Sequence, residues 1–213
     1  MVVIHYTAMT SARAARDWLC NPQAEVSAHY VIARRGTVWH LVDEAMRAWH
    51  AGAGAWGCNT DVNSRSVGIE LANTGAEPFP EPQMAALEDL LRGITARWQV
   101  PPERVIGHSD LAPGRKIDPG PRFDWRRLAL QGLAAWPKIG QASVSDAHPA
   151  SLDELGEPLA AIGYTSDADL ETKLAAFRLR YRPGASGPPT QADKALALAV
   201  AGDYPVDPAT RST

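Results

Sequence analysis

Gly107-His108-Ser109-Asp110-Leu111-Ala112-Pro113-Gly114-Arg115-Lys116-Ile117-Asp118-Pro119-Gly120 sets one imidazole, two carboxylates, two cations and three glycines between the apolar pair Val105-Ile106 and a predicted helix. That density reads as a site loop rather than a connector. His108 and Asp118 offer nitrogen and carboxylate oxygen, the ligand types that zinc takes beside an open water position. Two ligands are too few. His5, at the end of the apolar run Val2-Val3-Ile4, is the best third candidate, because a strand terminus lets a side chain leave the core and enter a cleft. Asp110 competes with Asp118 for the carboxylate position. It lies two residues after His108 and before a Pro-Gly turn, where aspartates also bond their own backbone, and the residues alone leave the two even.

Outward from this loop the chain alternates strand and helix. Val2-Val3-Ile4 reads as a buried strand and Ala8 to Cys20 as a helix with Trp18-Leu19 toward the sheet. Ala28 to Ala33 and Thr37 to Val42 form a hairpin about Arg34-Arg35-Gly36. Ser66 to Ala72 is a strand in which Val67, Ile69 and Leu71 point one way, Gly68 and Glu70 the other. A carboxylate inside an apolar strand is costly unless a cation, metal or donor meets it, so Glu70 is either a buried ion-pair partner or a catalytic base. Pro80 to Trp98 is a helix with a core stripe at Met84, Leu87, Leu90, Leu91, Ile94 and Trp98. Val105-Ile106 is the last strand, and Phe123 to Trp136 a helix stopped by Pro137. The pattern predicts an α/β fold with a mixed, mainly-β sheet flanked by helices.

The loop Trp49-His50-Ala51-Gly52-Ala53-Gly54-Ala55-Trp56-Gly57 is small and flanked by indoles, which suits a groove wall that admits a substrate backbone and stacks on sugar rings. A packed surface loop is the competing reading. Within the hairpin, His29 is expected to hydrogen-bond near the site and shape its pocket rather than ligate. Lys116 could oppose charge on a tetrahedral oxygen, while Arg115 reads as a solvated side chain.

The 213 residues carry a net charge of −3 and no overall basic excess, which gives no footing for nucleic acid. No apolar run approaches the roughly 20 residues of a membrane span, and the start shows no signal-peptide pattern. Cys20 and Cys58 are expected as free thiols in or near the core.

Five segments carry a family resemblance: Val3-Ile4-His5-Tyr6-Thr7, Val26-Ser27-Ala28-His29-Tyr30-Val31-Ile32, Trp49-His50-Ala51-Gly52, Asn63-Ser64-Arg65-Ser66-Val67-Gly68-Ile69-Glu70-Leu71 and the opening loop. In order and setting they resemble the zinc-dependent N-acetylmuramoyl-L-alanine amidases of the amidase-2 family, the AmpD/AmiD-like branch, related to phage T7 lysozyme and the peptidoglycan recognition proteins. The resemblance implies one zinc held by His5, His108 and Asp118, with Glu70 and Lys116 catalytic and Trp49, His50, Ala51 and His29 on the substrate side. It implies hydrolysis of the amide between the lactyl group of N-acetylmuramic acid and L-alanine, in wall remodelling or recycling. Ala28 departs from the phage relatives, which carry a tyrosine there, so proton handling falls on Glu70. The alternative is a recognition protein that binds peptidoglycan without cutting it. A purely structural zinc is a second.

Residues 1–137 are thus expected as the catalytic domain, 138–151 as a linker, 152–202 as a three-helix module similar to peptidoglycan-binding modules, and 203–213 as a flexible tail. Removing everything after Lys138 is then expected to spare hydrolysis of small muropeptides. The expected partners are muropeptides, with the chain a monomer. The attached module points to the bacterial envelope if a leader has been removed, and to the cytoplasm otherwise.

Overall fold

The computed structural model describes residues 1–138 and 148–207. Most of the expected linker (139–147) and the end of the expected tail (208–213) lie outside the described residues.

Five strands form one sheet in the order β3-β2-β4-β1-β5. They are β1 (Val2–Tyr6), β2 (Tyr30–Ile32), β3 (Val38–His40), β4 (Val67–Leu71) and β5 (Val105–Gly107). β1 runs parallel to β4 and β5, β2 runs parallel to β4, and only the β2–β3 hairpin is antiparallel. Gly36 turns that hairpin at φ +86°, where a side chain would be strained.

Strand alternation sends Val2, Ile4, Val67, Ile69 and Leu71 to one face. There they pack on Met84, Leu87, Leu91 and Ile94 of helix α2 (Glu81–Trp98). Trp98, expected in that stripe, is instead half exposed at the helix end, where its indole donates to Glu44. Helix α1 starts later than expected, at Ala12 (Ala12–Leu19), after Ala8 at φ +54° and a Ser11 cap on the Ala14 amide. It buries only Ala15, and Trp18 faces outward rather than onto the sheet.

After β5 comes the single turn α3 (His108–Leu111), then α4 (Trp125–Ala129). The expected helix over Phe123 to Trp136 shrinks to α4, because Gly132 takes φ +71° and Leu133 turns back to donate to the Leu128 carbonyl. Helices α5 (Gly156–Ile162), α6 (Leu170–Tyr181) and α7 (Gln191–Asp203) complete the described chain. They share a core with the second face of the sheet: Val3, Trp56, Ile106 and Leu111 pack in one cluster with Leu159, Phe177, Tyr181 and Val200. The first residues of the expected flexible tail also pack against the rest. Asp203 ends α7, Val206 is buried, and Asp207 accepts from the Cys58 amide and pairs with Arg104. A buried apolar side chain flanked by a charge pair explains why this stretch does not fray. Cys20 and Cys58 are free, and both are exposed rather than in the core.

Candidate metal centre and cleft

The site lies at the carboxyl ends of the parallel strands, where open α/β sheets place their ligands. Adjacent positions in register on β1 and β4 bring His5 and Glu70 side by side. His108 opens α3 just after β5, and the site loop returns Asp118 beside it; the Ser109 amide donates to the Asp118 carbonyl at 2.9 Å. His5 Nδ1 lies 3.0 Å from His108 Nδ1 and 2.9 Å from Asp118 Oδ2, and His108 Nδ1 lies 3.1 Å from the same oxygen. Two imidazoles and one carboxylate, all buried, thus converge on a triangle of donor atoms.

Both imidazoles are oriented from behind. His108 Nε2 lies 2.8 Å from the Ala51 carbonyl, which can only accept, so the ring proton sits on Nε2 and Nδ1 presents a lone pair. A longer chain fixes His5. The Ser66 hydroxyl donates to the Val62 carbonyl at 2.5 Å and leaves its oxygen to accept from His50 Nε2 at 3.3 Å. His50 Nδ1 then accepts from His5 Nε2 at 3.0 Å, and His5 Nδ1 is the bare nitrogen. Burial, with His108 adding, holds His5 down at about 4 and therefore neutral at neutral pH. Burial pushes the Asp118 carboxyl up, but the neighbouring imidazoles outweigh it and keep the group ionised. Three lone pairs about 3 Å apart with no proton to share call for a cation. The spacing is close to the roughly 3.3 Å edge of a tetrahedral zinc set with bonds near 2 Å.

Glu70 faces this triangle, and its Oε2 is buried without a hydrogen-bond partner among the described residues. Burial first and Asp118 second push its carboxyl up to about 8, with Lys116 opposing. Lys116 sits exposed on the rim of the same cleft, close enough to act electrostatically on both Glu70 and His5. The cleft, about 560 Å³, is walled by Met9, Trp18, Val26, Trp49 and Ile117 above the donor triangle. Trp49 is half exposed there and offers an indole face.

Of the other residues expected on the substrate side, His50 also lines this cleft, and all three of His29, His50 and Ala51 are buried. His29 is fully buried; its Nδ1 accepts from the Gly68 amide and its Nε2 reaches the Met46 carbonyl, so both ring nitrogens are used internally. His50 is buried against Gly68 and works through His5. Ala51 contributes a carbonyl to His108, and its side chain is buried. Asp110, the rival ligand, points away into a buried network with Tyr164 and Arg180. Arg115, read from the sequence as solvated, instead donates to the Ala51 and Ala53 carbonyls and clamps the loop that orients His108. Asn63 Oδ1 holds the same loop through the His50 and Ala51 amides. Sequence reasoning missed Asn63, Ser66 and Arg115, although the first two stand in a segment that carries the resemblance.

Convergent lone pairs with a raised carboxyl beside them, at strand ends and open to a cleft, mark a hydrolase of the metal-assisted class. The chain belongs to the amidase-2 family, described as N-acetylmuramoyl-L-alanine amidase, whose model matches residues 1–121. N-acetylmuramoyl-L-alanine amidase AmiD of Escherichia coli is 37% identical over 214 residues, 86% of this chain and 75% of AmiD. The solved complex of E. coli AmiD with the substrate anhydro-N-acetylmuramic acid-L-Ala-D-gamma-Glu-L-Lys superposes with a TM-score of 0.89 at 35% identity, covering 97% of this chain and 90% of that one. AmpDh3 from Pseudomonas aeruginosa, in complex with anhydromuramic pentapeptide, gives a TM-score of 0.81 at 31% identity over 97% of this chain and 92% of its own. The AmpD amidase of Haemophilus influenzae is 39% identical but aligns over only 49% of this chain and 58% of AmpD.

Proposed function

We propose that this chain hydrolyses the amide joining the lactyl group of N-acetylmuramic acid to L-alanine of the stem peptide, with a zinc ion held by His5, His108 and Asp118. The observation that carries the reading is the donor triangle, in which each imidazole is proton-locked from behind and Glu70 stands next to His5 across β1 and β4. Bound there, zinc would lower the pKa of a water toward 7 and polarise the amide carbonyl.

The protein's own groups do the rest. Glu70 takes a proton from the attacking water and delivers it to the amide nitrogen as the C–N bond breaks, so that the products are a carboxylic acid and a free amine. Its raised affinity for a proton suits the delivery. Lys116 places positive charge beside the carbonyl oxygen as it gains charge. Trp49 offers a stacking face at the cleft mouth, and Arg115 holds the 51–53 loop against His108.

The test is incubation of zinc-loaded protein with defined muropeptides, anhydro and reduced, followed by mass spectrometry. Release of a peptide with a free L-alanine amine, lost on chelation and restored by zinc, is expected. Zinc-loaded protein that leaves both substrates intact would overturn the reading.

A further inference from the structure

The C-terminal helices reach the back of the metal loop through one buried carboxylate. Asp110 is fully buried and sits two residues after His108. Its Oδ2 accepts from the Gly107 amide at 2.8 Å, so it grips the backbone immediately before the ligand. Among the described residues, the side chains that hydrogen-bond Asp110 come from the C-terminal segment. The Tyr164 hydroxyl donates to Oδ1 at 2.7 Å, and Arg180 Nη1 donates to Oδ2 at 3.1 Å. The same Nη1 also donates to the Val105 carbonyl at 3.2 Å, and Nη2 donates to the Ala135 carbonyl at 3.1 Å. The Arg180 guanidinium lies 4.0 Å over the Trp125 ring, which fixes its plane.

One side chain of α6 therefore holds β5 at Val105 directly and at Gly107 through Asp110. His108 is the next residue. Ser109, one further on, donates its amide to the Asp118 carbonyl, so two of the three donor residues hang from this anchored stretch. Apolar contact continues the same seam, with Ile106 and Leu111 in one cluster with Phe177 and Tyr181.

We propose that Arg180 and Tyr164 are positioning residues for the metal centre: through Asp110 they hold the backbone of His108 and Asp118 in the geometry that binds the ion. The helices after the linker are thus part of the site's supporting structure, whatever else they bind. The proposal rests on the zinc reading above, and its test has an arm that does not.

The first arm measures zinc affinity of the full chain by chelator competition in Arg180→Met, Arg180→Lys, Tyr164→Phe and Asp193→Asn. Outer partners of metal ligands typically carry 10- to 100-fold in affinity. Arg180→Met is expected to weaken zinc by about 10-fold, Tyr164→Phe by a few-fold, and Arg180→Lys to recover part of the loss. Asp193→Asn is the control: Asp193 pairs with Arg178 and Arg182, and among the described residues its hydrogen bonds stay within the C-terminal segment. It is expected to lower the melting temperature and leave zinc affinity within twofold of the parent. The second arm uses metal-free protein and follows amide hydrogen exchange at Gly107 and Ser109, which is expected to accelerate in Arg180→Met and Tyr164→Phe but not in Asp193→Asn.

Zinc affinity unchanged in both Arg180→Met and Tyr164→Phe, or an equal loss in Asp193→Asn, would overturn the proposal. Should Arg180→Met fail to fold, Tyr164→Phe keeps the ring packing and decides alone. Should the parent bind no zinc, the functional reading falls, and unchanged exchange at Gly107 and Ser109 would separately remove the positioning role.

Discussion

In the proposed reaction, proton transfer falls to Glu70 and orientation of a metal ligand to His50. Replacing Glu70 by glutamine keeps size and removes the proton acceptor, so bound zinc should stay near stoichiometric while muropeptide turnover falls by about 10²-fold or more; turnover near the parent rate would remove Glu70 from that role. The same variant has a signature in metal-free protein. The folded chain holds the Glu70 proton up to about 8, whereas the ordinary value is 4.5. Stability from this group is therefore fully present below about pH 4.5 and is lost as pH rises toward 8. Urea titrations of Glu70→Gln should lack that loss, a difference on the order of 4 kcal/mol at pH 8. His50→Ala leaves the His5 Nε2 proton without its acceptor and frees the ring to turn, so zinc affinity should drop at least about 10-fold in a chelator competition. Two donors were legible from residue type and position: His5 ends an apolar run, and His108 stands in a loop too rich in chemistry for a connector. Asp118 was even with Asp110 on those grounds, and only the family resemblance decided for it. The supporting residues were not legible. His50 and Ala51 stand in a small-residue loop that reads as a groove wall. Only the fold shows that one offers its ring, and the other its carbonyl, to a ligand from behind.

The sheet sets the tolerances within which those side chains work. Gly68 on β4 lies beneath the His50 ring, and a Cβ there would stand 2.4 Å from His50 Cγ. Gly68→Ala must push the ring or the strand, so it should cost about 1–3 kcal/mol in denaturant unfolding and weaken zinc in parallel. A fully stable Gly68→Ala with parental zinc affinity would show that His50 can move without consequence. The strands, the hairpin and α2 could be read from period and turn residues, because each follows from neighbours within a few positions. Where local pattern failed, distant or conformational terms prevailed. Gly132 ended the helix expected through Trp136 by adopting a left-handed backbone, and Trp18 left the sheet to wall the cleft because α1 touches the core only through Ala15.

The whole molecule is more continuous than its composition implies. The stretch 138–151 reads as a linker between independent units, yet Trp56, buried on the catalytic side, meets Tyr164 edge to face at 5.1 Å and leaves no room for a side chain at Gly163. Ending the chain at Lys138 would expose that apolar seam and strip Asp110 of both Tyr164 and Arg180. Against the expectation from sequence, such a truncation should lose its cooperative thermal transition and its hydrolysis of small muropeptides together, as calorimetry and mass spectrometry would show. A truncated chain that melts cooperatively and cleaves at the parental rate would restore the picture of a detachable module. These contacts were illegible because their partners are far apart in the chain, and Asp110 in isolation looks like a ligand or a turn cap. The parallel strands carry one more consequence. Val2 pairs with Val67 and with Val105, so during synthesis β1 waits for neighbours that leave the ribosome much later, and the clasp of Arg180 on Asp110 later still. Resistance of nascent chains to protease should accordingly arrive late and abruptly, once α6 has cleared the exit tunnel.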